Sequence, residues 1–304
     1  MKKLLVLVKR EFWEHQSLFV RVPAALSIIV CLISVCTLVY SLLHFHDDSA
    51  HRMASSFVSG HDVNIAPALY VIASPFVLIL WLVVFNYSLS CLFDERKDRS
   101  ILFWQSLPVN QTLTMLSKVV TALVFAGVCA WFCIIITELF LMVVYSILFA
   151  LLTDISWWQM WNPWVLFKTW FVMLFDILEQ GLWLFPLFSW FMLCSVQANR
   201  APFIRAVLVP LVLMIVEAFF GSANVVWHFI TYRISMASSL WEKTIAHASD
   251  KLVSQAYLSK IIVPHQVAQP IKMLLIGAVV GLLFLCLAGF FRGYNSPENI
   301  SSSR

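Results

Sequence analysis

The sequence predicts an all-α polytopic membrane protein with six transmembrane helices and both termini in the cytoplasm. Three observations carry that prediction. Of the 304 residues, 61% are hydrophobic and 12% charged, whereas a soluble domain carries about 25% charged residues. With a mean hydropathy of +0.87, the chain has too few polar groups to cover a water-facing surface. The apolar residues gather into long unbroken runs that meet the roughly 20 residues a helical crossing needs. A transmembrane barrel would instead alternate over segments of about ten. Finally, the Lys and Arg residues divide unevenly between the two sides, which orients the chain.

The N-terminal segment 1–21 opens on basic residues and a short apolar stretch, superficially like a signal peptide. Lys9, Arg10, Glu11 and Glu14 interrupt the stretch and no small-residue cleavage site follows, so it reads as a retained interfacial helix. Lys3, Arg10, Glu14 and Ser17 are expected on one face, with Leu5, Val8, Phe12 and Phe19 opposite. Spans are predicted at 22–43, 69–93, 119–152, 180–197, 203–221 and 271–291. The segment 94–118 is a cytoplasmic loop, and 44–68, 153–179 and 222–270 are outer loops. On this topology only Arg52, Lys168, Arg233, Lys243, Lys251, Lys260 and Lys272 of the 20 basic residues lie outside. That bias is the one expected for cytoplasmic termini.

The run 119–152 is long for one crossing, since a helix of that length spans about 51 Å against a hydrocarbon core of about 30 Å. Splitting it at Glu138 would bring the Trp-dense segment 154–164, which has no Lys or Arg, to the inner side. A single helix projecting beyond the outer leaflet fits better. In 163–180, Lys168, Asp176 and Glu179 recur at helical spacing among Phe and Trp residues, as in an interfacial helix leading into the fourth span. The seven Cys all lie within apolar runs, where they read as small core hydrophobes and not as a disulfide framework.

The richest segment is Asp94-Glu-Arg-Lys-Asp-Arg-Ser-Ile-Leu-Phe-Trp-Gln-Ser-Leu-Pro108. Six charges leave the membrane, an apolar cluster follows, and Pro108 stops any helix because the residue before a proline is pushed out of helical space. Such a segment suits a short amphipathic helix lying along the inner face, seated in a groove of a soluble partner. A plain solvated loop dipping into the interface is the bland alternative.

Together with Arg10-Glu-Phe-Trp-Glu-His15 and Arg200-Ala-Pro-Phe203, that segment resembles the ABC-2-type membrane subunits of ATP-binding cassette exporters. The resemblance implies that 1–21 is an elbow helix and that the loop after the second span carries the coupling helix, which sits in a cleft of the ATPase. Asp94, Glu95, Arg96, Lys97, Asp98 and Arg99 would flank that contact, and Ser100, Leu102, Trp104, Leu107 and Pro108 would form it. It further implies a pair of six-span subunits, identical or related, working with two ATPase subunits in a bacterial inner membrane. ATP and Mg would then be held by the partner ATPase. The outer loops are longer than the resemblance leads one to expect.

The chain contains no G-x-x-x-x-G-K-[ST] phosphate loop, no H-E-x-x-H zinc helix and no G-x-S-x-G elbow. It reads as a non-enzyme with no cofactor of its own, with lipid as a partner and nucleic acid excluded. His44, His46, Asp47, Asp48, His51, His61 and Asp62 concentrate possible ligands in the first outer loop, but their spacing matches no recognised metal site. Glu138, Asp176, Glu179 and Glu217 are acids in or near apolar runs. Such groups mark either a pathway or an interhelical hydrogen bond. The expected function is therefore a transport permease exporting a substrate. A membrane scaffold or sensor docking a cytoplasmic regulator is the first alternative, and an intramembrane enzyme the second.

Overall fold

A computed structural model describes residues 2–44, 58–59, 62–63, 65–98, 111–152, 161–198, 201–220, 224–249 and 268–294. The described chain is all-α apart from a two-residue antiparallel pairing of Val58–Ser59 with Asp62–Val63. Six helical stretches are long and apolar enough to cross a membrane: Ser17–Tyr40, Ala66–Lys97, Thr112–Leu148, Pro163–Gln197, Pro202–Phe219 and Ile271–Arg292. The predicted fold class holds.

Helix α1 (Lys2–Glu14) passes through a π-helical turn (Ser17–Arg21) into α2 (Val22–His44). The buried face of α1 differs from the expected one. Leu7, Val8 and Glu11 are buried while Leu5, Val6 and Trp13 are exposed, because an acid and not a leucine points into the bundle. Helix α2 is apolar on every side and leaves Ile28, Ile29, Leu32 and Ile33 exposed, the pattern of a helix bathed in lipid.

Helix α3 (Ala66–Ser90) begins with Pro67 in its first turn, where the missing N–H costs nothing. Tyr70, Ala73, Phe76, Leu80, Val84 and Tyr87 recur every three or four residues and are buried, so one stripe faces the core. A short helix α4 (Phe93–Lys97) follows. Then α5 (Gln111–Val120), a second π turn (Thr121–Phe125) and α6 (Ala126–Leu152) form one uninterrupted helical path. Ala122, Ala126 and Ala130 line its buried side, followed by Ile134; the three alanines are small residues that let neighbouring helices approach closely.

Helix α7 (Pro163–Gln197) is the centre of the bundle; α3, α6, α10 (Ala268–Tyr294), α9 (Val225–Ser249) and α8 (Pro202–Phe219) all pack on it. Its start is set by Asn162, whose side chain accepts from the backbone N–H groups of Trp164 and Val165 at 3.1 and 3.5 Å, an N-cap with proline at the first position. The stretch 163–180, expected as a helix leading into a span from 180, is continuous with that span: one helix runs through from Pro163. The polar residues that suggested a boundary are satisfied inside the bundle. Tyr70 donates to Asp176 at 3.3 Å and the Trp81 indole donates to Gln180 at 2.8 Å.

The segment 222–270, expected as an outer loop of mixed helical character, carries the helix α9 in its first half. Asn224 precedes it in the left-handed region (φ 48°), a conformation asparagine tolerates better than most residues. Where α10 crosses α7, a side chain at Gly281 would meet the Phe185 ring at 2.6 Å. Only glycine admits that ring. The lower ends of α3, α7 and α10, the starts of α5 and α8, and α1 gather at one end of the bundle, called proximal below; α9 and the start of α7 lie toward the distal end.

Candidate functional site

At the proximal end, four charged side chains from four segments are buried together. Glu11 of α1 is 0% exposed, Lys118 of α5 1%, Glu95 of α4 4% and Arg292 of α10 5%. The sequence places each within a turn or so of an apolar run, so packing the runs forces the charges inward. Isolated, each would be expensive to bury; paired and hydrogen-bonded, they are tolerated.

Lys118 is the hub. Its ammonium carries three donors and meets both Glu11 carboxylate oxygens at 3.0 Å, Glu95 at 2.9 Å and the Cys91 carbonyl at 3.3 Å. Arg292 holds the other Glu95 oxygen at 2.9 Å. Tyr87 of α3 donates to Glu11 at 3.2 Å. Arg10, half-buried at the rim, contacts Glu11 and reaches Glu95 at 3.4 Å. Two acids are thus enclosed by two buried cations and a third at the edge.

Both π turns flank this cluster. Thr121, at the start of the second, donates to the Ser117 carbonyl at 2.8 Å. Phe125, at its end, meets Phe12 of α1 with ring centroids 6.5 Å apart. Single π turns inside α-helices recur at functional sites. Burial alone would raise the Glu11 carboxyl, but Lys118 and Arg10 reverse the effect, so Glu11 lies below its ordinary value and is ionised. Burial lowers His15, and the charge of Lys118 adds to it against the opposing pull of Glu11. Its ring stacks edge-on against Tyr87 at 4.9 Å.

Helix α4 is also fixed to the end of α7. Arg96 donates to the carbonyls of Ser195 and Ala198 at 2.6 and 2.8 Å, and the Phe93 N–H donates to the Ser195 hydroxyl at 2.9 Å. A cation on the last carbonyls of a helix is favourable for both hydrogen bonding and the helix dipole.

Of the residues expected to flank a docking contact, Glu95 and Arg96 hold the loop to its own bundle. Asp94 is half-buried, and Lys97 and Asp98 are exposed. Arg99, Ser100, Leu102, Trp104, Leu107 and Pro108 lie outside the described residues, as do the side chains of the histidine-rich segment after α2.

The four other acids do not converge. Glu138 accepts from the Trp170 indole at 2.6 Å, and Trp131 donates to the Trp170 carbonyl at 2.8 Å, joining α6 to α7. The rise from Lys118 to Glu138 is about 30 Å at 1.5 Å per residue, the thickness of a hydrocarbon core. Glu138 therefore sits at the distal boundary. Asp176 is buried against Tyr70, while Glu179 on the same helix is exposed. Glu217 accepts from the Val226 N–H at 3.2 Å and caps the start of α9.

Ligand atoms of Glu11, Glu14 and His15 lie within 4.8 Å of one another, but both Glu11 oxygens already accept from Lys118. A cation there would compete with an ammonium in place. Sequence reasoning missed Glu11, Lys118 and Arg292 as a site because each looks like an ordinary charge flanking a span. The available signal was Glu11, an acid amid basic residues on a helix otherwise expected to lie on anionic lipid.

No family model matches the chain, and no curated protein or solved structure matches it.

Proposed function

We propose that this chain is the membrane-spanning subunit of an ABC-2-type exporter, driven by ATP hydrolysis in a separate ATPase. The observation that supports it best is the route from loop to bundle. Glu95 lies within one turn of the exposed Lys97 and Asp98, yet its carboxylate is held by Lys118 and Arg292. A push on the loop after the second span therefore reaches α5 and α10 through ion pairs, α1 through Glu11, and α7 through Arg96. A network of this kind has discrete arrangements, and a rigid-body switch needs such a bistable link.

On this reading the proximal end faces the cytoplasm, where the basic residues concentrate. Trp104 and its apolar neighbours seat in the ATPase, two copies of the chain or one with a related subunit form the pathway, and ATP and Mg stay with the partner. Closure of the ATPases moves both loops and switches the pathway.

The test is co-purification with a cassette ATPase, followed by hydrolysis and transport in liposomes. Trp104→Ala is expected to lower ATPase retention about tenfold or more, as for a buried aromatic anchor. Glu95→Gln is expected to retain the ATPase but uncouple hydrolysis from transport. If the wild-type chain retains no cassette ATPase, or Trp104→Ala stays fully bound and coupled, the reading fails and a scaffold function takes its place.

A further inference from the structure

Arg233 of α9 is among the most deeply covered side chains of the molecule, at 1% exposure. Its guanidinium lies over the Trp183 ring, 5.2 Å from the centroid, and over Phe229 at 5.1 Å. One nitrogen donates to the Met273 carbonyl of α10. Beneath it is Gly277, where any Cβ would collide with the guanidinium; the glycine makes the space the charge occupies.

Among the described residues no carboxylate pairs with this cation. Its Nε and Nη1 atoms, and the Nε1 of the adjacent Trp183, are buried with no hydrogen-bond partner. Donors accumulate here without acceptors. The helical rise from Gly277 to Arg292 places the guanidinium about 22 Å above the proximal cluster, beside the apolar stretch Ile271–Arg292. A cation against a span with no counter-ion among the described residues is costly, and by default marks a ligand or a counter-ion.

We propose that Arg233 and Trp183 form a binding site for the anionic oxygens of an amphiphile, a phosphate or carboxylate, entering sideways from the distal leaflet. An oxyanion offers several lone pairs to the unpartnered N–H groups and neutralises the charge, which a water molecule would not do. The lipid-like character of the ligand follows from the surroundings. Ile234, Met273 and Ile276 are exposed around the site, so the approach is across apolar surface. Phe229, half-buried on the same helix, is the ring that must turn aside. The site stands independently of the export reading; it is compatible with a transported anionic amphiphile and with a resident lipid.

The test is the full-length protein in a neutral detergent, titrated with dioleoylphosphatidylglycerol, with dioleoylphosphatidylcholine or with inorganic phosphate. Binding is followed by native mass spectrometry and thermal unfolding. The wild type is expected to bind phosphatidylglycerol at least about tenfold tighter than phosphatidylcholine, the scale of one charge-assisted hydrogen-bonded contact. Arg233→Met should erase that preference, and Arg233→Lys should keep part of it. Trp183→Phe, which keeps an aromatic face but removes the N–H together with the pyrrole ring, should weaken it about threefold; this variant carries the test should Arg233→Met not fold. Stabilisation by inorganic phosphate, lost with the same variants, would assign the site to free oxyanions. Equal binding of the two lipids with no phosphate effect, or an anion preference that Trp183→Phe and Arg233→Met leave unchanged, overturns the proposal.

Discussion

At the proximal end, Glu11, Glu95, Lys118 and Arg292 arrive from four segments and neutralise one another, whereas about 22 Å higher Arg233 is buried among rings over a glycine, with no acid paired to it among the described residues. The same bundle thus treats buried charge in two ways. The proximal charges neutralise one another, so they lock helices together, although the Arg292 Nη1 is itself buried without a hydrogen-bond partner. The distal cation has no counter-charge among the described residues, so it is poor cement and a good receptor. Charge compensation, more than burial, separates a structural charge from a binding one.

The sharpest way to break this comparison is to remove the hub. Lys118→Met leaves Glu11 and Glu95 buried near one another with their main cation gone. Breaking a buried pair in this way costs about 3–5 kcal/mol. The expected result is a large drop in thermal midpoint in detergent and in yield of folded protein. The double variant Lys118→Met with Glu11→Gln should recover part of the loss, because the uncompensated carboxylate is the larger penalty. A Lys118→Met protein as stable as the wild type would mean that the cluster is not an ionic lock.

An intermediate case lies at the distal boundary, where Glu138 has a neutral partner in Trp170. Glu138→Gln keeps an acceptor for the indole and should cost little. Glu138→Leu leaves the Trp170 N–H unpaired, for an expected loss of about 1–3 kcal/mol, measured by chemical or thermal unfolding. Equal behaviour of the two variants would remove the hydrogen bond from the account. Transport that falls with Glu138→Gln at unchanged stability would return Glu138 to a pathway.

How far these sites could be read from the sequence follows from what each depends on. The spans are local properties: an apolar run such as 271–291 needs no partner to be recognised. Glu138 is local in the same sense, a lone charge in a long apolar run. The proximal cluster is not, because Glu11, Glu95, Lys118 and Arg292 are separated by most of the chain, and each has an ordinary explanation as a flanking charge. Their meaning is pairwise. Arg233 is hidden for another reason. In the sequence, α9 has too many polar residues to read as a span, so its charge falls in an outer loop of mixed helical character; the fold lays that helix against α3 and α7. The partners of Asp176 and Gln180 were not legible either, because Tyr70 and Trp81 are brought beside them only by the packing of α3 on α7.

The smallest effect expected concerns His15, which touches the proximal cluster without belonging to its ion pairs. Burial is the leading cause that lowers its pKa below the ordinary 6.5, Lys118 adds to it, and the charges of Glu11, Glu14 and Asp94 pull the other way without prevailing. The sign then follows. Above 6.5 both the folded and unfolded chains carry a neutral imidazole, and its contribution is fully present. Below 6.5 the unfolded chain takes up a proton that the folded chain resists, so stability declines as the pH falls, until the folded-state pKa is reached. Glu11 acts lower on the scale: its carboxyl lies below 4.5 in the fold, so the stability it contributes is lost only as the pH drops beneath that value. His15→Gln should flatten the upper limb of the stability profile, just below pH 6.5, and leave the acid limb below pH 4.5 in place. The measurement is the thermal midpoint in detergent across that range, for the wild type and the variant. An unchanged upper limb would show that the imidazole is as free to protonate in the bundle as in the unfolded chain, and that the buried proximal end stops short of residue 15.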